Sequence, residues 1–437
     1  MLTETRANPL IYVLVVWFAS SAWLGNFGAF IENSIFIQVL PEGWNLPSVL
    51  TISIQIAGII PWIYIIVDRI WKIPIRHGVV IQAAIVVAAL VQIPMIFGWN
   101  WTAVIFGKEH SYVLIGYICV SGAIAIGSTV VFLPFMMTFD PVYLPAYFLG
   151  GGVAALFPSI LSMIQGTSTY TCVANATGQL EPHYAPPRFS VNVFYVFMFV
   201  WMVGAAIAFY LINNHLKRLK RVSSCGNRED RCGMLDEEAN ARAQAAAEET
   251  PAKPVAAKKP SKLADLAILA CVGLAGAQMN TILPNVQSFA SIPYSHTTYF
   301  WTIIAGTLVP LAGPFAADFF AIRRTSTVVL LSAVCAVGTA FVVLLALQSP
   351  NPWLKGSFWG SALTASTFFS ITLQTFCAFM YAFLQTLGSQ VYRDSDPTNE
   401  DRLFWVGVAL QVGSLIGTCV VYPSVNYLDL FHPAPAC

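Results

Sequence analysis

Charge is what this sequence has least of. Only 43 of its 437 residues are Lys, Arg, Asp or Glu, which is 10%; an ordinary soluble domain carries roughly 25%. So few charges do not cover a water-facing surface of this size, which excludes a soluble globular protein and a disordered one. A field of one sign is also missing, because 22 Lys and Arg stand against 21 Asp and Glu. Nothing draws such a chain to a phosphate backbone, and no nucleic-acid partner is expected. Histidine is scarce. His77, His110, His183, His215, His296 and His432 all fall in loops or at the ends of apolar stretches. Haem, di-iron and zinc membrane enzymes need His clusters on buried helices, so no metal and no cofactor is expected. Neither a Gly-rich phosphate loop nor a nucleophile elbow occurs, and the chain does not read as an enzyme.

What fills the sequence instead is apolar. Hydrophobic residues make up 57%, and the mean hydropathy is +0.68. A bilayer core of about 30 Å takes roughly 20 apolar residues as a helix. Eleven such stretches can be marked, at about 10–30, 49–67, 79–98, 112–136, 145–165, 190–212, 263–283, 297–317, 326–347, 357–384 and 403–422. They are long and continuous, without the ten-residue alternation of barrel strands, so helices are implied. The first stretch runs on into Ala29-Phe30-Ile31-Glu32 without a cleavage-site pattern and is expected to be a retained helix.

The few charges are unevenly placed. Residues 213–262 hold 11 Lys/Arg and 7 Asp/Glu, 18 of the 43. That segment reads as a cytoplasmic disordered linker, opened by the stop-transfer flank Lys217-Arg218-Leu219-Lys220-Arg221. A contact with anionic lipid is the sharper alternative. The linker divides the chain into a bundle of six helices (1–212) and one of five (263–437). Two-lobed transporters are built that way, with substrate between the lobes near the midplane. Orientation follows from the positive-inside rule. With the N-terminus cytoplasmic, 19 Lys and Arg fall inside, and only Lys108, Arg188 and Lys355 fall outside. The expected architecture is therefore an all-α integral membrane protein of eleven transmembrane helices in a six-plus-five arrangement, its C-terminus extracellular.

Other signals agree with that topology. The sequons at Asn100 and Asn175 both lie in outer loops, where glycosylation occurs. Asn175 is mid-loop, while Asn100 is close to its span. Of nine cysteines, only Cys172 and Cys437 face the oxidising side, which makes them the candidate disulfide. Cys225 and Cys232 are cytoplasmic and lack C-x-x-C spacing; the other five lie in helices and read as small packing residues.

An ionisable group at membrane depth is costly and is a functional candidate for that reason. Glu32 ends the first span, and helical spacing puts Gly28 on its face at i, i+4. Asp265 suits the positive end of the seventh helix, and Asp318 has Arg323 and Arg324 to pair with. The seventh span carries Gln278, Asn280, Thr281, Pro284, Asn285, Gln287 and Ser288. Pro284 is expected to break or kink that helix, and a broken helix bearing amides is a pattern of transporter sites. Gln374 and Gln411 add amides on later spans. Gly413-x-x-x-Gly417, like Gly150-Gly151-Gly152, reads as a close-packing face. No Lys or Arg lies inside a span. The interior thus offers amides, hydroxyls, rings and one carboxylate, which suits an uncharged, hydrogen-bonding, partly planar solute and not an inorganic anion.

At these residues the sequence resembles the eukaryotic riboflavin transporter family of solute carriers, family 52 type. The resemblance rests on Leu40-Pro41-Glu42-Gly43-Trp44-Asn45-Leu46-Pro47-Ser48 and on Phe132-Leu133-Pro134-Phe135. It continues with Phe148-Leu149-Gly150, Ala155-Leu156-Phe157-Pro158, Leu283-Pro284-Asn285-Val286-Gln287-Ser288-Phe289 and Gln411-Val412-Gly413-Ser414-Leu415, in order along every span. It departs from the vertebrate members at Asn26, Phe27, Asn285 and Ser295. What it implies is sodium-independent riboflavin uptake at the plasma membrane by alternating access, with proton coupling left open. The isoalloxazine ring would stack on Trp23, Phe132 or Phe148. Its uracil-like edge would meet Asn280, Asn285, Gln287 or Gln411, and Glu32, near Gly28, would accept from the ribityl hydroxyls. Riboflavin and the bilayer are the implied partners, and no obligatory protein partner is. The alternatives are an equilibrative nucleoside-type carrier and a membrane receptor that transports nothing.

Overall fold

The computed structural model describes residues 8–65, 67, 77–105, 107–136, 139, 143–166, 170–174, 180–184, 186–229, 262–320, 322, 324–352, 362–396, 401–428 and 430–433. Long apolar runs must satisfy their backbone groups internally, and they do so as helices. The first half holds α1 (Pro9–Ser20), α2 (Leu24–Val39), α3 (Leu46–Ala57), α4 (Ile59–Ile65), α5 (His77–Leu90), α6 (Gln92–Gly98), α7 (Tyr112–Met136), α8 (Leu144–Gln165) and α9 (Val191–Glu229). The second holds α10 (Lys262–Ala277), a π-helical stretch Gln278–Ile282, α11 (Leu283–Ser291), α12 (His296–Leu308), α13 (Ala312–Phe320), α14 (Thr325–Leu347), α15 (Ala362–Ser395) and α16 (Asp401–Asn426).

Ten helices among the described residues are long and apolar enough to cross a membrane, or eleven when the bent pair α1 and α2 counts as one span. The bend is 56°. Its cause is local: the hydroxyls of Ser20 and Ser21 donate to Trp17 O and Phe18 O, each at 2.7 Å. Such back-bonding competes with the helical ladder. Pro9 and Pro145 start their helices where a missing N–H costs nothing. Gly166 ends α8 in the left-handed conformation at φ 69°, donating to Ser162 O.

Three expectations shift. The sixth helix runs on from Val191 to Glu229, past the boundary at 212, so the start of the polar linker is helical. The loops are not wholly irregular. Antiparallel hairpins pair 103–105 with 108–110 and 170–174 with 180–184. Pro284 does not break the seventh span. The π turn before it re-registers the ladder around the missing donor, and Pro284 sits in the first turn of α11.

Packing falls into three clusters. Val15, Phe18, Phe132 and Phe209 anchor one within the first half. Leu345, Cys377, Tyr381 and Leu387 anchor one within the second. The third joins the halves, placing Leu24, Phe36 and Tyr195 with Tyr299, Phe300 and Ile304. Spans seven and eleven approach closely at their glycines: a Cβ on Gly413 would overlap the Gly273 backbone, and one on Gly417 would meet Thr281 Oγ1 and Ala277. Without a hydrophobic force between helices in lipid, such close approach is what holds them. Large apolar side chains such as Phe319 and Val337 lie open on the outside, 84% and 70% exposed.

Candidate functional site

The helix α2 divides its residues between two faces. Gly25, Gly28 and Glu32 turn into the first-half bundle. A Cβ on Gly28 would come within 2.5 Å of Met198 Cε, so a larger residue there would have to move the end of that flexible side chain. Glu32 is fully buried, and neither carboxylate oxygen completes a hydrogen bond. Gln165 of α8 and Tyr195 of α9 are the polar side chains beside it. Both are fully buried, and the Tyr195 hydroxyl and Gln165 Oε1 also lack partners. Next along this polar interior, Tyr117 meets the Tyr195 ring edge-on at 5.6 Å. Its hydroxyl faces Gly25 O at 3.1 Å and Gln92 Oε1 at 3.2 Å.

The opposite face of α2 carries Phe27 and Phe30, and Trp23 stands at the bend just before it; all three are half-buried. Trp23 and Phe27 are tilted ring to ring at 6.1 Å. Phe27 and Phe30 pack in the cluster that includes Ile303 and Ile304 of α12. Phe27 and Phe30 thus lie in the cluster that joins the halves, Trp23 packs against the first-half core, and the carboxylate faces its own bundle. The other two predicted rings separate. Phe132 is 2% exposed and packs on Phe18 at 5.3 Å, inside the first-half core. Phe148 is exposed, edge-on to Tyr147 at 5.8 Å.

The amides of the seventh span do not converge. Gln278 lies on the far side, in a groove of about 360 Å³ against Thr339, Val343 and Leu347 of α14. Asn280 donates to Ser414 Oγ of α16 at 2.9 Å. Asn285 donates to Thr281 O, leaving a buried Oδ1 without a partner. Gln287 is half-buried beside Gly306, and Gln411 is half-buried on α16. A second buried group lies behind them: Gln374 donates to Ser291 Oγ at 2.8 Å and Ser370 Oγ at 3.0 Å, with its own Oε1 unpartnered. Tyr294, in the connection after α11, is buried with an unpartnered hydroxyl, and burial pushes that hydroxyl up to about 12.

Gln165 and Tyr195 escaped the sequence reading. An amide at a span end reads as solvated, and a tyrosine in a span reads as packing; only the fold brings both to Glu32. Asp265 has a partner beyond the helix dipole, Arg402 Nη2 at 2.5 Å. Asn100 is exposed at a turn. Asn175 and Cys437 lie outside the described residues, as do Arg323 and the side chains of Cys172 and Asp318. Among the described residues no three His, Cys, Asp or Glu side chains are grouped to hold a metal.

The chain matches the family described as "Solute carrier family 52, riboflavin transporter" over residues 7–433. "Riboflavin transporter rft-1" of Caenorhabditis elegans is 35% identical over 436 residues, covering 98% of each chain. "Riboflavin transporter rft-2" of the same organism is 31% identical over 476 residues, again covering 98% of each. Among solved structures, that of the nucleoside transporter NupG aligns with 94% of this chain and 90% of its own, at 13% identity and TM-score 0.49.

Proposed function

This chain belongs to the solute carrier family 52 of riboflavin transporters, and on that premise we propose that it carries riboflavin into the cell across the plasma membrane. Family membership over nearly the whole chain is the observation that carries this reading. Uptake is sodium-independent and proceeds by alternating access between a six-helix and a five-helix lobe. The cytoplasmic linker at 213–262 joins the lobes, the N-terminus lies inside and the C-terminus outside. The charge distribution supports that orientation.

In this proposal the isoalloxazine ring stacks on Trp23 and Phe27, at the bend and the start of α2. Ring stacking suits a flat heterocycle. Gln287 and Gln411, half-buried in the second half, supply donors and acceptors to its polar edge. Glu32 acts from the other side of α2. A buried carboxylate without a charge partner is tolerated only where it has work to do, and here it makes uptake depend on pH through the position of α2. Gly28 keeps α2 close enough to α9 for that contact.

The test is labelled riboflavin uptake in cells expressing the chain against empty-vector cells, at pH 5.5 and 7.5, with and without sodium. Lumiflavin and uridine are the competitors. Saturable uptake blocked by lumiflavin alone is expected. Competition by uridine points to a nucleoside-type carrier. Surface binding without internal accumulation points to a receptor.

A further inference from the structure

Among the described residues, the principal helix pairs that pack across the two halves are α3 with α16, α3 with α11, α2 with α12 and α8 with α12. Of these, α2, α3, α11 and α12 are half-span helices on the side of the connections at 40–45 and 292–295. The principal neighbours of α1 are α8 and α9, that of α4 is α7, and those of α10 and α13 lie in the second half.

At the joined end the contacts are specific. The Trp44 ring lies 5.6 Å from Phe289, which lies 5.4 Å from Phe431. Ser288 donates to Trp44 O at 3.1 Å, and Asn426 donates to Ser48 Oγ at 2.7 Å. Trp44 packs against the second-half core and the cluster that joins the halves. Each side of this seam is tied to its own half. Glu42 holds the Trp44 turn to the first half, accepting from Ser111 N and Ser111 Oγ at 2.7 Å each. Ser349 holds the Phe431 segment to the second half by donating to His432 O at 2.5 Å. Two rigid faces therefore meet at a thin aromatic and amide seam. If the halves rock, this seam must part.

We propose that Trp44, Ser48, Ser288, Phe289, Asn426 and Phe431 form a latch that closes the extracellular end of the transport path. The assignment rests on the alternating-access reading above for its function and on the proposed topology for its side. Ser48 and Asn426 are gating residues: they touch each other across the seam and have no part in binding the flavin. A bond of this kind is made in one state and lost in the other, so its removal shifts a population and leaves the site intact.

The experiment pairs Ser48→Cys with Asn426→Cys and joins them with a short reducible bis-thiosulfonate cross-linker. Expected is an at least tenfold loss of riboflavin uptake in the linked double variant, restored by reduction, with each single variant unaffected by the reagent. A double variant that cross-links fully yet transports at its reduced rate overturns the proposal, as does one that does not cross-link at all. Ser288→Cys, in the otherwise unaltered chain, is the second readout, with the parent chain as background. Its labelling by a membrane-impermeant maleimide is expected to be slow, and at least tenfold faster when Asn426→Ala is added. Equal rates overturn the latch even if the double variant fails to fold. If the unaltered chain takes up no riboflavin, the functional reading fails, and the labelling rates still judge the latch.

Discussion

Trp23 and Glu32 stand on opposite faces of one helical segment. They are nine residues apart, which at 3.6 residues per turn is two and a half turns. Trp23 is half-buried beside the first-half core, and Glu32 is fully buried against Gln165 and Tyr195.

The two residues should therefore fail in different ways. Trp23→Ala removes stacking surface and is expected to raise KM about tenfold, since base-to-ring stacking is worth roughly 1–3 kcal/mol, with the pH profile unchanged. Glu32→Gln keeps the shape and is expected to flatten the dependence of uptake on pH between 5 and 8 while KM moves less than about twofold. Initial-rate uptake at several pH values separates them. A Glu32→Gln profile that matches the parent removes Glu32 from pH sensing.

Phe132 illustrates the reverse case, a ring that resembles a ligand contact and packs as core. It lies 2% exposed against Phe18, with Phe135 and Phe209 in the same cluster. Phe132→Ala should lower stability by on the order of 3 kcal/mol, as for other buried rings. Phe132→Leu should cost far less. In both, the protein that remains folded should keep the parental KM. Thermal unfolding in detergent alongside uptake decides this, and a KM shift in Phe132→Leu would return the ring to the binding site.

Spans seven and eleven offer a sharper packing test. Gly413→Ala places a methyl into the Gly273 backbone, whereas Gly116 on α7 has open space at its Cβ position. The first change should destabilise by about 1–3 kcal/mol, the usual range for overpacking. Gly116→Ala should be neutral or gain up to about 1 kcal/mol from helix propensity. A Gly413→Ala protein as stable as the parent would mean that the two helices are further apart than described.

Spans were legible because each is a long apolar run. The close contact at Gly413 and Gly417 was legible for a similar reason, since small residues spaced by four share a face. What the chain concealed depends on contacts distant in sequence. The bend at 20–23 comes from two serine hydroxyls turning back on their own helix. The π turn at Gln278–Ile282 absorbs a proline that, read alone, breaks the span. The Glu32 neighbourhood needs residues 165 and 195 to be brought to residue 32, and neither stands out in its own window.

Arg402 and Asp265 make the last prediction, and its sign is not the obvious one. Arg402 is 5% exposed, with its guanidinium 2.5 Å from Asp265 and 4.0 Å above the Tyr392 ring. Asp265 is 24% exposed, in the first turn of α10. Removing Asp265 strands a buried cation, with Asp396 at 4.0 Å the one remaining carboxylate partner among the described residues. Removing Arg402 strands a carboxylate that sits closer to water and at the favourable end of a helix dipole. Uncompensated burial of a charge is the larger penalty. Asp265→Asn should therefore lower stability more than Arg402→Met, whose apolar side chain still covers Tyr392. The difference should be about 1–2 kcal/mol, given how far loss of one partner usually exceeds replacement of the pair. Unfolding midpoints of the two variants, measured side by side, give the order directly. If Arg402→Met is the less stable, stacking on Tyr392 and not charge pairing holds this corner of the second half together.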